Sequence, residues 1–350
     1  MPCLLLAGNV ILLILVLSGC YAAWQGKLRA DKYPTQDPQK SVAETIDTRD
    51  FDPYIANSAL VKLQGEPALH ISERWPRLDG ATAAYPLYAS AFYALNSFPP
   101  EMKSYEIEAN YLNNSRTPQA YKNLIASRAD IIFVAQPSAA QKKHAQDEGV
   151  TLIYTPFARE AFVFIANRNN PVSSLTEQQV RDIFSGKIHR WDEVGGQQRN
   201  IQIWQRPADS GSQTVMLAKV MKDTPMLPAQ ETEVATVMDG VIHKVAEYQN
   251  NLPAIGYTFR YYATQMNANK NVKLLAINGI APTVENIRNG SYPYTVDVYM
   301  VTREHPTPET QKLVAWFLSP QGQQLVQDVG YVPLYPALQG KSSSWNPLLN

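Results

Sequence analysis

The stretch IIFVAQPSAAQKKHAQD (131–147) decides the fold class. Ile131-Ile132-Phe133-Val134-Ala135 is a short apolar run rich in β-branched and aromatic side chains, which reads as a strand buried on both faces. Gln136-Pro137-Ser138 ends the run. Ser138 followed three residues later by Gln141 is a capping-box pattern, which predicts a helix over Ala139 to Asp147. A strand that turns directly into a capped helix is the unit of an α/β fold.

The alternation continues on both sides. Ala68-Leu69 to Ile71 reads as a strand start, Ala84 to Leu95 as a helix, and Ile107 to Tyr111 as an alternating strand. Tyr121 to Ala126 forms a helix core, and Phe162 to Ala166 is another β-rich run. The expectation is an α/β fold with mainly parallel sheets flanked by helices. The 350 residues exceed one average domain, which suits two lobes or two domains, and no internal repeat interrupts them.

Lysine plus arginine equals aspartate plus glutamate, 31 each, so the formal net charge is zero. That balance argues against a nucleic-acid partner, which favours a concentrated basic face. Any anion must be held by local geometry. Both cysteines, Cys3 and Cys20, lie at the N-terminus, so the remainder can form no disulfide, four-cysteine zinc site or thiolate nucleophile.

Residues 3–19 are almost wholly apolar, the length of a signal-peptide core and short for a bilayer span. They end in Leu17-Ser18-Gly19-Cys20, which resembles the bacterial lipobox and marks Cys20 for lipidation. Lys27, Arg29 and Lys32 follow the apolar run and none precedes it, which keeps an uncleaved signal anchor open as the alternative. Residues 1–20 are thus expected to be a lipoprotein-type signal or anchor in the membrane. Residues 21–67, with Pro34, Pro38 and Pro53, read as a polar tether.

Four strand-to-helix junctions share one chemistry: Asp79-Gly80-Ala81-Thr82, Ser115-Arg116-Thr117-Pro118, Gln136-Pro137-Ser138 and Asp209-Ser210-Gly211-Ser212. Each offers hydroxyls and backbone N–H groups at a helix start, where negative charge is favoured. Pro118 is expected at the first helical position. Taken singly, such residues are ordinary N-caps. In an open α/β sheet, however, these junctions converge at the carboxyl ends of the strands, where ligands bind. Arg206, four residues before Ser210, adds a guanidinium able to fork onto an oxyanion.

At these residues the chain resembles the phosphate-binding subunits of bacterial phosphate ABC importers. The matching stretches are LDGATAAYPLYASAF (78–92), NPVSSLTEQQVRDIFSGKIHRWDEVGG (170–196), QRPADSGSQT (205–214), PAIGYTFRYYA (253–263) and LSPQGQQLVQDVGYVPL (318–334). The resemblance implies a two-lobed type II periplasmic-binding-protein fold, each lobe a mainly parallel sheet flanked by helices, with lobe 1 formed by 68–155 plus 258–345 and lobe 2 by 156–257. It implies a cell-envelope receptor on the periplasmic or extracellular face. Such a receptor captures inorganic phosphate or a similar oxyanion and delivers it to ABC permease subunits, as a monomer without cofactor.

Carried over singly, Thr82 with the adjoining Ala83, Thr117, Gln136, Ser138, Arg206, Asp209, Ser210, Gly211 and Ser212 form the expected ligand-binding set. Gly186, Trp191, Gly195, Gly196, Gly256 and Tyr257 match as structural positions. Two departures concern selectivity. The family places an acidic residue where this chain has Gln136, and another where it has Ala208, with Asp209 one step on. Those carboxylates accept the proton of hydrogen phosphate and repel sulfate. Their replacement keeps a second reading open: an envelope scaffold or signalling protein with altered or lost anion specificity. An enzyme is not expected. There is no Gly-x-Ser-x-Gly, His-Glu-x-x-His or phosphate-loop motif, and His70, His144, His189, His243 and His305 are scattered, with no metal-ligand spacing.

Overall fold

In a computed structural model of the chain, residues 48–51, 53, 55, 57–97, 104–228, 238–246 and 253–337 are described, all within the unit Ile46–Asn350. Cys3, Cys20, the apolar leader and the tether up to residue 47 lie outside the described residues. No helix among the described residues is long and apolar enough to cross a membrane.

The strands are β1 (Leu78–Gly80), β2 (Ile131–Val134), β3 (Leu152–Asn167), β4 (Ser174–Leu175), β5 (Gln202–Ile203), β6 (Ala254–Phe259), β7 (Val272–Leu274), β8 (Ala276–Ile277), β9 (Thr295–Arg303) and β10 (Val332–Pro333). The main sheet runs β1-β2-β9-β3-β6-β5, with β7 and β10 also on β3. The β1–β2 and β5–β6 pairs are parallel. β9 and β3 run antiparallel to their neighbours through the middle. The fold is α/β as expected, but its sheet is mixed rather than mainly parallel, because β9 runs against β1 and β2 in one lobe and β3 runs against β6 and β5 in the other.

Those two strands change hydrophobic core at the same level. Phe157, Ala158, Val298 and Met300 belong to the first core, whereas Ala161 to Ala166 and Val296 belong to the second. Ala158 pairs with Val298 and Glu160 with Val296, and the β3–β9 register shifts between Pro156 and Ala158. A bulge where two strands pass between two cores is a natural place for a bend.

The first core stacks Phe133 on Tyr88 with ring centroids 4.9 Å apart, with Phe157 and Phe317 at 5.7 and 5.3 Å. The second gathers Phe162, Phe164, Phe184, Tyr257 and Tyr294. Leu275, Ile277, Ile287, Tyr292 and Tyr294 also pack in the second core. Tyr261 packs in the first core and Met266 against both, but the apolar residues from Leu275 to Val296 pack in the second, and Val298 and Met300 on β9 return to the first.

Three local expectations change. Ile107 to Tyr111 lies in the helix Ser104–Tyr111. In that window the alternating pattern and the i, i+4 pair Ile107/Tyr111 coincide, and the amide of Asn110 donates to the Glu106 carbonyl one turn back at 2.8 Å. Ala68 to Ile71 forms only an isolated bridge, Ile71 to Asn96, because the Ala68 N–H is taken by the Gln321 side chain at 2.8 Å. The end of the expected tether docks on lobe 1. Phe51 packs edge-on against Tyr85 at 5.7 Å, and Val61 N–H donates to the buried Ser90 hydroxyl at 3.0 Å. Burial of Phe51 with partial burial of Leu60, Val61 and Leu63 outweighs the segment's polar composition.

Candidate anion-binding site

The carboxyl ends of β1, β2, β5 and β6 face one cavity of about 240 Å³ between the lobes. Lobe 1 lines it with Thr82, Arg116, Thr117 and Ala135, and lobe 2 with Arg206, Ser210, Gly211 and Ser212. Residues separated by more than a hundred positions thus share one space. A Cβ built on Gly211 would stand 3.0 Å from Thr117 Oγ1 and 3.9 Å from the Ala135 Cβ. The approach of the two lobes at this point requires a residue without a side chain.

Each loop is braced from behind. The buried Asp79 carboxylate accepts the N–H groups of Gly80 and Ser115 at 2.8 and 2.9 Å, the Ser115 hydroxyl at 2.5 Å and the Asn123 amide at 2.7 Å. It ties the first loop to the second. Arg116 beside it has φ of +68°, a left-handed conformation uncommon for a residue with a Cβ. The helix spans Arg116–Ile125, which puts Pro118 in its first turn and not at its first position. The fourth loop hangs on Tyr257, whose hydroxyl accepts the Arg206 N–H at 3.0 Å and donates to Gln213 Oε1. Ser210 caps the helix Gly211–Val215, its Oγ accepting the Gln213 N–H at 3.2 Å.

No carboxylate lines the cavity among the described residues. Arg206 is 7% exposed, and burial pushes its guanidinium down to about 10, opposed by the Tyr257 and Tyr262 phenols and reinforced by nearby Arg116. It remains a cation at neutral pH. Ser212 is 1% exposed, and its Oγ makes no hydrogen bond with the described residues. A buried hydroxyl without a partner costs about 1–3 kcal/mol, and in this wall a ligand oxygen would remove that penalty.

Not every expected residue lies here. Thr82, Thr117, Arg206, Ser210, Gly211 and Ser212 line the cavity; Ala83, Gln136, Ser138 and Asp209 do not. The Ala83 carbonyl accepts the Tyr331 hydroxyl at 2.5 Å. Ser138 is spent on its capping box with Gln141. Asp209, at φ +64°, presents its carbonyl to the Gln141 amide at 2.9 Å. Gln136 lines a separate cavity of about 160 Å³ with Arg159, Lys219 and Asp297, because the strand's alternation turns it away from the wall that Ala135 supplies. Sequence reading missed Arg116, Lys122 and Phe259 in the lining and the bracing role of Tyr257. Arg116 is signalled by its place in the Ser115-Arg116-Thr117-Pro118 loop; Phe259 carries no local signal.

Two lobes linked by paired crossover strands, with a donor-lined cavity between them, define a type II periplasmic-binding-protein architecture. The family model described as the PBP superfamily domain matches residues 77–321, and the chain belongs to that family. It is similar to the phosphate-binding protein PstS of Borreliella burgdorferi, 27% identical over 188 residues, which cover 51% of this chain and 64% of the relative. PstS of Bacillus subtilis is 25% identical over 178 residues, covering 50% of this chain and 56% of the relative. These matches span less than two thirds of the relatives' own length. In fold the chain is similar to a Clostridium perfringens substrate-binding protein assigned to a phosphate ABC transporter and solved with bound phosphate. That likeness has a TM-score of 0.59 at 23% identity and covers 75% of this chain and 100% of the other.

Proposed function

We propose that the chain is an extracytoplasmic receptor that captures a phosphate-class oxyanion between its lobes and hands it to an ABC permease. The observation that carries this reading is one interlobe cavity that collects Thr82, Thr117, Ser212 and a buried Arg206 with no carboxylate in its described lining. Charge-assisted hydrogen bonds from such donors contribute about 1.5–3 kcal/mol each. Closure of two lobes about a hinge excludes water from them. The phosphate-binding relatives support the same ligand class. In this reading the chain acts as a monomer, is held at the membrane through Cys20 or an uncleaved leader, and catalyses no reaction.

Because Gln136 and Asp209 lie away from the cavity, no described carboxylate is placed to accept the proton of hydrogen phosphate. Discrimination against sulfate is therefore weak in this reading. Calorimetric titration of the purified full chain with phosphate and with sulfate tests it. Binding of phosphate, and loss of about tenfold or more in Arg206→Ala, is the expected result. A chain that binds neither anion is a scaffold or signalling protein, and the receptor reading fails.

A further inference from the structure

The cavity carries more positive charge than one small anion needs. It opens to solvent between the lobes, with a volume of about 240 Å³. Besides Arg206, the lining includes Arg116, Gln119 and Lys122, all exposed and all on the helix Arg116–Ile125. Neither Arg116 nor Lys122 forms an ion pair or side-chain hydrogen bond with a described residue. Arg116 is close enough to Arg206 to disfavour its charged form. Like charges held together around an open space repel one another unless an anion lies between them.

We propose that the occupant is a diphosphate: two linked phosphoryl groups, one seated inside on Arg206 and Ser212, the other reaching the mouth at Arg116 and Lys122. This rests on the anion-receptor reading and extends it from one phosphoryl group to two. The inner half supplies buried hydroxyls and the Arg206 fork, suited to a terminal phosphoryl group. The outer half supplies two exposed cations, which suit a second charged group still partly in water. Inorganic pyrophosphate and the diphosphate end of an ester share this chemistry.

The test is calorimetry on the purified full chain at about 0.15 M salt, where generic attraction beyond about 8 Å is screened. The probes are orthophosphate, inorganic pyrophosphate and methyl diphosphate. Pyrophosphate is expected to bind at least tenfold more tightly than orthophosphate. The double variant Arg116→Ala/Lys122→Ala should weaken pyrophosphate by tenfold or more, with a clearly smaller loss for orthophosphate. Lys142→Ala, an exposed cation outside this cavity, should change neither. Methyl diphosphate binding as tightly as pyrophosphate assigns an ester; much weaker binding assigns the free condensed anion. Orthophosphate binding as tightly as pyrophosphate, equal losses for both probes in the double variant, or an equal effect of Lys142→Ala overturns the diphosphate site and leaves the phosphate receptor standing. Binding of no probe overturns both.

Discussion

At the scale of single residues, Ser212 separates stability from binding. Its hydroxyl is buried and unpartnered among the described residues, so Ser212→Ala should stabilise the ligand-free chain by about 1 kcal/mol. The same change should weaken phosphate by about fivefold, the equivalent of about 1 kcal/mol. Thermal unfolding without ligand and calorimetry with it read the two effects. A variant that is both less stable and unaltered in affinity would mean that the hydroxyl serves the fold. Gly211 behaves differently. A methyl group there would press on Thr117 Oγ1 at 3.0 Å across the cleft. Gly211→Ala should therefore hold the lobes apart, weakening anion binding by tenfold or more while unfolding in the absence of ligand moves by under about 1 kcal/mol.

At the scale of elements, the helix Ala139–Asp147 reaches across the cleft through its first turn. Gln141 Oε1 accepts the Ser138 N–H at 2.9 Å, its own N–H donates to Ser138 Oγ at 3.1 Å, and its Nε2 donates to the Asp209 carbonyl at 2.9 Å. One side chain therefore caps a lobe 1 helix and latches lobe 2. Gln141→Glu retains the capping acceptor but sets a carboxylate against a carbonyl. It should leave the helix intact by circular dichroism and lower phosphate affinity several-fold, whereas Gln141→Ala should also cost about 0.5–2 kcal/mol of stability. Equal affinity in wild type and Gln141→Glu would remove the latch. This helix is legible in the sequence to the residue, because a capping box is encoded within four positions. The strand Ile131–Val134 and the helix Tyr85–Leu95 are legible from local apolar pattern, a continuous β-rich run in one and helical spacing in the other. The assignment of 272–294 to the second core is not, since it depends on the pairing of β7 with β3 more than a hundred residues earlier. Nor is the departure of Gln136 from the cavity wall, which follows from the orientation of one residue past a strand end. The loops that meet in the cavity, Arg116 among them, are visible as hydroxyl-rich junctions, while Lys122 at its mouth becomes visible only once the helix Arg116–Ile125 is seen to turn Gln119 and Lys122 toward it.

At the scale of the molecule, the two lobes meet at Glu160. This β3 residue lies at the crossing level, wholly buried, with its carboxylate accepting the N–H groups of Ala161 at 2.7 Å and Tyr261 at 2.8 Å. Burial raises its carboxyl to about 7, with nearby Arg260 and the two N–H donors pulling it down. The same carboxylate pushes the Tyr261 and Tyr331 phenols up, beyond the effect of their own burial. An acid whose folded-state pKa is raised keeps its proton while the unfolded chain has already released one. Stability therefore falls as pH rises between about 4.5 and about 7, by about 3 kcal/mol in all, and levels off above that window. Glu160→Gln removes the titration. It also leaves one backbone N–H facing an amide instead of an oxygen, so the variant should be less stable overall by about 1–3 kcal/mol. The informative quantity is the slope: denaturant unfolding at pH 5, 6, 7 and 8 should show wild type losing stability across the window more steeply than Glu160→Gln. Parallel profiles would mean that Glu160 is already ionised at pH 5 in the folded chain, and that the strand pair joining the lobes carries a buried charge at every pH tested.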